Sequence, residues 1–290
     1  MARRVLKTRA IGHAGTLDPM ASGVLVLLVG EATKLTPYLT LDEKEYRATI
    51  SFGRSTDTLD AEGTMVTERA FPPEAVSRDR VLAALLRETE RTEQVPPAFS
   101  AISVDGKRAH RLARSGRPPD LPPRPVRVAS ASLIALTEGS ATVDLTVSKG
   151  YYVRSFARDL GEHLGVASHL SALERRRSGP YHIDEAAPWP PPPSTPLPPL
   201  VSLEEAARRV LDTVTLTDVG VERAAVGKPL APEHFTSPPP NIGCSAWLAG
   251  DRLLAIGEAN GEGGYRVVRG FRTDEAGHPA KEPSLSIRNN

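Results

Sequence analysis

The sequence predicts an α+β fold: a mixed, largely antiparallel sheet with flanking helices, followed by a smaller β-rich module. Three observations lead there. Apolar residues alternate with period two in several segments, helical repeats lie between those segments, and a proline-rich break at 188–199 precedes a set of short strands joined by glycine turns.

Taken in order, Val24 to Val29 is continuously apolar, as expected of a strand covered on both faces. In Tyr46 to Phe52 the residues Tyr46, Ala48, Ile50 and Phe52 share one face. Ser77 is placed to cap a helix running to about Thr92, with Val81, Leu82, Leu85 and Leu86 as its apolar stripe. Val126 to Leu136 and Ala141 to Val147 flank a Glu138-Gly139 turn and predict an antiparallel hairpin, with Val143, Leu145 and Val147 on one side. Phe156, Leu160 and Leu164 recur every four residues, so a helix is expected directly after Arg154.

Eight prolines lie between Pro188 and Pro199, including the run Pro190 to Pro193. Proline has no amide donor and favours extended backbone, so this stretch reads as a surface connector or insertion. Beyond it, Leu203 to Leu211 reads as a short helix. Ser245 to Leu248, Leu253 to Ala259 and Tyr265 to Phe271 read as strands joined by Gly250-Asp251 and Gly261 to Gly264. The expected organisation is a first domain over 1–187, a connector over 188–202, a helical segment over 203–228, a β module over 229–273 and a disordered tail over 274–290.

A chain of 290 residues with 40% hydrophobic content can bury one substantial core and carry a second module. Its 36 basic and 35 acidic side chains nearly cancel, so a nucleic-acid partner would have to be held by a local basic patch. The single cysteine, Cys244, excludes an internal disulfide framework and fits a reducing cytoplasm. His163 and His169 are six apart, which does not place them on one helical face, and no metal site is expected. Arg3, Arg4, Lys7 and Arg9 ahead of the apolar run from Gly23 to Gly30 imitate a secretory signal. That run is too short to span a membrane, Asp18 and Pro19 sit just before it, and no small-residue cleavage site of the usual kind follows. Cytoplasmic location without a membrane partner is the expectation.

The most informative stretch is Gly12-His13-Ala14-Gly15-Thr16-Leu17-Asp18-Pro19. Its glycines permit unusual dihedrals while Pro19 restricts Asp18 to extended geometry, which projects the carboxylate from a firmly shaped loop. Alone, an aspartate before proline is ordinarily a turn residue. The context is longer, however: Ala21, Gly23 and Leu25 follow, then Gly30-Glu31-Ala32-Thr33-Lys34. Here the sequence resembles the TruB family of pseudouridine synthases, whose signature is G-H-x-G-T-L-D-P-x-A-x-G-x-L followed by G-x-A-T-K. All of those fixed positions are met. Further family patterns occur in order: Lys44-Glu45-Tyr46, Thr56-Asp57-Thr58-Leu59-Asp60-Ala61-Glu62-Gly63, Gln94-Val95-Pro96-Pro97 with Ser100-Ala101, Ala113-Arg114-Ser115-Gly116, Tyr152-Val153-Arg154-Ser155 and Leu173. The resemblance covers about residues 7 to 182.

This resemblance implies conversion of uridine to pseudouridine in the T-loop of tRNA, at position 55, without cofactor. It also implies a small PUA-like RNA-binding module for the C-terminal strands. A monomer with no obligate protein partner is the expectation. Asp18 matches the family's essential carboxylate, which could attack base or sugar or abstract a proton. Arg154 matches an arginine that can hold a carboxylate ionised through two parallel hydrogen bonds. Tyr46 offers a flat face for the extracted base and a phenol to relay a proton. Tyr152 is expected to share strand parity with Arg154 and shape the pocket floor, and Leu173 to touch the base. His13 matches a histidine that holds the rearranged RNA loop, and Asp60 an acidic position of supporting role.

Seven Lys or Arg residues against two acids lie between Asp105 and Arg127. With Arg175-Arg176-Arg177 they are the candidate phosphate contacts, Lys107, Arg108 and Arg175 foremost.

Some positions depart from the family pattern: Phe99 where tyrosine is usual, Ser103 where lysine is usual, His110-Arg111 for tyrosine and glutamate, Tyr151 for threonine. A K-P-x-G-x-T/S stretch, in an edge strand and helix ahead of the segment matching Arg3 to Arg9, is absent from this sequence. Two rivals remain beside the enzyme: an RNA-binding chaperone or scaffold that kept the fold but lost the chemistry, and a glycoside-cleaving enzyme. The second normally needs a paired acid, and the sequence offers Asp18 no convincing partner.

Overall fold

The computed structural model describes residues 2–40, 43–104, 106–192 and 196–272. The chain divides into two compact units, one of Gly15–Val26 with Thr40–Ala186, the other of Met1–Ala14, Leu27–Leu39 and Ala187–Asn290.

The larger unit is built on a six-stranded sheet, ordered Val128–Leu136, Ser140–Val147, Lys44–Phe52, Ser168–Ser178 and Tyr181–His182, with Ser22–Gly23 added in parallel to the Ser168–Ser178 strand. The other neighbours pair antiparallel. Alternation decides which face is buried: Ala48, Ile50 and Phe52 on the central strand, and Ala141, Val143, Leu145 and Val147 on the hairpin, join one core. Helices Arg78–Thr89 and Val153–Leu164 cover that face. The second helix contributes Phe156, Leu160 and Leu164, as its four-residue spacing predicts, and stops at Gly165, whose φ of 74° suits a left-handed cap.

Two expectations are corrected in this unit. On the Arg78–Thr89 helix the buried face is Val81, Leu85 and Glu88, while Leu82 and Leu86 are exposed. Only residues four and seven apart stay over the sheet, and the helix ends before Thr92. The Val24 to Val29 run is not one covered strand. Val24 is held by Arg175 and Leu25 is 42% exposed; only Leu27–Val29 is a strand, and it pairs antiparallel with Ile11–His13, both strands belonging to the smaller unit. Two different pairing partners divide the run.

The smaller unit carries a four-stranded sheet of Asp212–Thr215, Cys244–Ala249, Arg252–Ala259 and Tyr265–Gly270. The first pair is parallel and the others antiparallel. Trp247, fully buried, is the centre of its core, with Phe235 edge-on at 5.1 Å. Gly257 makes room for that indole: a Cβ there would lie 2.0 Å from it. Helices Leu203–Arg208 and Asp218–Ala225 open on Ser202 and Thr217, whose hydroxyls accept the Glu205 and Gly220 amides. The Asp212–Thr215 strand lies within the stretch read from sequence as helical.

Residues 188–192 and 196–202 contain no helix or strand. Pro193 and the tail from residue 273 onward lie outside the described residues. No helix among the described residues is long and apolar enough to cross a membrane.

Candidate active site

Asp18 sits in the loop Gly15–Val26, where the Ala21 amide donates to the Asp18 carbonyl at 2.9 Å. Pro19 occupies the position of such a turn that its fixed φ suits. The loop is gripped from below by Arg175, which is 1% exposed on the Ser168–Ser178 strand. Its guanidinium donates to the carbonyls of Val24 at 2.7 Å, Thr16 at 3.2 Å and Gly15 at 3.2 Å. Its own carbonyl accepts the Val24 amide at 2.8 Å. Gly23, at φ +96°, lets the two backbones touch: a Cβ there would lie 2.2 Å from the Arg175 oxygen.

The Asp18 carboxylate meets Arg154 in a bidentate pair, Oδ2 at 2.8 Å from Nε and Oδ1 at 3.0 Å from Nη2. Arg154 is the second residue of the Val153–Leu164 helix. It also donates to the Thr58 and Phe99 carbonyls, both at 3.1 Å, and its Nε lies 3.6 Å from Asp60 Oδ2. The guanidinium is therefore locked by four groups of three loops. Its side chain is 7% exposed whereas that of Asp18 is 29% exposed, so the pair is closed behind the arginine and open beside the carboxylate.

Asp60 is itself fixed, accepting from the Thr58 hydroxyl at 2.6 Å and the Glu62 amide at 3.1 Å. Leu59 before it has a φ of 65°, unfavourable for a bulky side chain, and its carbonyl is held by the Leu170 amide at 3.0 Å.

Tyr46 stands opposite Arg175 in the strand register, close enough for the guanidinium's charge to act on its phenol. Burial raises the phenol's pKa, Arg175 opposes that rise, and the negative charge of Asp18 adds to it. Leu173 is buried two residues from Arg175, paired with Ala48. Tyr152 is not on a strand with Arg154: it caps the helix that Arg154 belongs to, so strand parity does not relate them. Burial raises the Tyr152 phenol too, with the charges of Arg124, Arg154 and Asp18 close enough to act on it.

Asp18, Arg154, Tyr46, Asp60 and Tyr152 are thus brought together. Lys107 and Arg108 are exposed on a small hairpin with Ser103–Val104, where Arg108 donates to the Ala101 carbonyl at 2.6 Å. His13 is exposed at the end of Ile11–His13 in the smaller unit. Arg175 is placed otherwise than a phosphate contact requires: it is buried, and its donors are taken by loop carbonyls. In the same run, Arg177 pairs with Glu45 at 2.7 Å, leaving Arg176 as the more exposed member. Sequence reasoning also missed the Thr58 and Phe99 carbonyls, since a backbone oxygen leaves no mark in residue type. For Arg175 a signal existed: it shares period-two parity with Leu173.

Comparison with known proteins fits this geometry. The model of the TruB family pseudouridylate synthase (N terminal domain) matches residues 3–153. The tRNA pseudouridine synthase B of Corynebacterium aurimucosum is 44% identical over 235 residues, covering 79% of this chain and 78% of that protein. The same enzyme of Thermus thermophilus is 40% identical over 294 residues, covering 90% and 89%. Among solved structures, a chain of a Cbf5-Nop10-Gar1 complex superposes with a TM-score of 0.65 at 22% identity, over 96% of this chain and 81% of that one. A chain of an H/ACA RNP bound to a substrate RNA containing 2′-deoxyuridine gives 0.64 at 20%, over 96% and 81%. At such identities these two likenesses establish the shared α+β mixed-sheet fold. The family match and the identity to the bacterial enzymes establish kinship: this chain belongs to the TruB family of pseudouridylate synthases.

Proposed function

We propose that this tRNA pseudouridine synthase acts on the uridine at position 55 of the T-loop, with Asp18 as the reacting carboxylate. The observation that carries the reading is the Asp18–Arg154 pair, buried on the arginine side and open on the carboxylate side. The reaction breaks the bond from N1 of uracil to the sugar, turns the base, joins C5 to the same sugar carbon, gives up the C5 proton and takes one up at N1. No atom is gained or lost, so a positioned carboxylate and a water-poor pocket suffice. An ionised oxygen here can attack the base, attack the sugar, or take a proton in an elimination, and the three routes share the same ground-state geometry.

The remaining roles follow from placement. Arg154 supplies the counter-charge when a flipped base displaces water from Asp18. Tyr46, whose raised pKa keeps it a neutral phenol, stacks on the base and passes on the proton leaving C5. Tyr152 and Leu173 wall the base, Asp60 steadies Arg154, and Arg175 braces the loop. Flipping a base out of the T-loop costs a few kcal/mol. Phosphate contacts from Lys107, Arg108 and their basic neighbours, with His13 holding the rearranged loop, offset that cost. We take residues 1–187 as the catalytic domain, the Cys244–Ala249, Arg252–Ala259 and Tyr265–Gly270 strands as a PUA-like module, and the protein as a cytoplasmic monomer.

The test is release of tritium from C5-labelled uridine in T-stem-loop RNA, with the product mapped by carbodiimide and primer extension. The wild-type protein releases label and marks one site; Asp18→Asn loses at least about a thousandfold in rate while still binding the RNA. A wild-type protein that binds the RNA without release would make it a scaffold, and free uracil as product would make it a glycoside-cleaving enzyme.

A further inference from the structure

Gln94 is 2% exposed, on the short strand Glu93–Gln94 that pairs with Arg124–Pro125. Its amide is laid along the backbone of Tyr152: Oε1 accepts the Tyr152 amide at 2.8 Å and Nε2 donates to the Tyr152 carbonyl at 3.1 Å. Tyr152 is the residue from which the Arg154 helix starts, and its carbonyl also takes the first helical bond, from Phe156 at 3.1 Å. The next residues continue the grip. The Val95 carbonyl accepts from the Ser155 hydroxyl at 2.8 Å and from Arg158 Nη2 at 3.3 Å, and the Phe99 carbonyl accepts from Arg154.

We propose that Gln94 is a positioning residue for the reaction: by clamping the Tyr152 peptide it sets where the helix begins, and so the angle at which Arg154 presents its guanidinium to Asp18. The inference rests on the Asp18–Arg154 reading above. The chemistry of the clamp is specific. A planar group must offer an acceptor and a donor side by side to match an N–H and a C=O of one residue. Methionine has the length and neither function. Glutamate has both only when protonated; ionised, its second oxygen faces the Tyr152 carbonyl and repels it. A buried carboxyl next to a carbonyl titrates above its ordinary range, so Gln94→Glu converts the clamp into a proton-dependent one.

The experiment measures single-turnover rate and RNA affinity for the full-length protein with T-stem-loop RNA from about pH 6 to pH 9. Gln94→Met is expected to lower the rate about 10- to 100-fold with RNA affinity within about twofold, since a misplacement near 1 Å has that effect. Gln94→Glu is expected to approach the wild-type rate at the acidic end and to fall away from it as pH rises, its melting temperature measured at each pH. Both variants within about twofold of wild type at every pH would overturn the inference, as would a loss confined to RNA affinity. Arg154→Lys, measured alongside, separates the two layers. If it too keeps the wild-type rate, the Asp18–Arg154 reading falls. If it loses activity while the Gln94 variants do not, only the clamp falls.

Discussion

Tyr46 and Arg175 face each other across the ladder between Lys44–Phe52 and Ser168–Ser178, and the guanidinium whose charge acts on the phenol binds three carbonyls of the Asp18 loop. Tyr46 and the loop that carries Asp18 therefore meet at a single buried arginine. Removing it leaves several polar groups without partners in a closed space, which is more damaging than losing a surface cation.

Arg175→Met is expected to lower stability by about 3 kcal/mol and the reaction rate by at least about tenfold. RNA binding provides the sharper measurement. A lost phosphate contact lowers the salt dependence of affinity by about 0.7 to 0.9 of a unit in log K against log salt. Arg175→Met should leave that slope unchanged, while Lys107→Ala or Arg108→Ala should reduce it.

Arg154→Lys removes the planar fork that holds Asp18 at two oxygens while reaching two carbonyls. A lysine ammonium can replace one or two of those bonds but not all four. We expect stability to fall by about 2 to 4 kcal/mol and the rate by more than about 100-fold, with RNA affinity little changed. Denaturant unfolding and tritium release measure the two effects separately.

Much of this arrangement was legible in the sequence, because the physics that writes it is local. Alternation at Tyr46, Ala48, Ile50 and Phe52 fixes the face of the central strand, and the four-residue spacing of Phe156, Leu160 and Leu164 fixes the helix beside Arg154. Long-range pairing is different. Nothing in the run Val24 to Val29 tells that its first residue is claimed by Arg175 and its last three by Ile11–His13. A run of three arginines looks uniform in sequence, yet on a strand its members alternate in facing, so Arg175 and Arg176 meet opposite environments. The place of Tyr152 is hidden for a related reason: helix and strand both admit Tyr-Val-Arg, and the peptide that opens the helix is held by Gln94, fifty-eight positions away.

Gly23→Ala tests how closely the loop must approach the sheet. The added Cβ would lie 2.2 Å from the Arg175 oxygen and 2.8 Å from its nitrogen, and the backbone is already at φ +96°. Neither neighbour is the free end of a side chain, so the loop itself has to move. A stability loss of about 3 kcal/mol or more is expected in thermal or denaturant unfolding, with near-complete loss of tritium release. A melting curve close to wild type would show that the loop tolerates displacement.

Alkaline titration examines the buried phenols together. Burial raises Tyr46 and Tyr152, raises Tyr151 well above its ordinary value with the Glu88 carboxylate adding to it, and pushes Tyr38 to about 12. In the unfolded chain all four titrate near pH 10. Below that pH each is neutral in both states and its contribution is constant. Above it the unfolded chain gives up its protons first, so stability declines as pH rises from about 10 toward the folded-state values. Absorbance at 295 nm should therefore show Tyr38, Tyr46, Tyr151 and Tyr152 ionising only above about pH 10, together with loss of the native circular dichroism. These four phenols titrating near pH 10 with the fold intact would mean that Tyr46 is open to solvent, and the stacking role assigned to it would not stand.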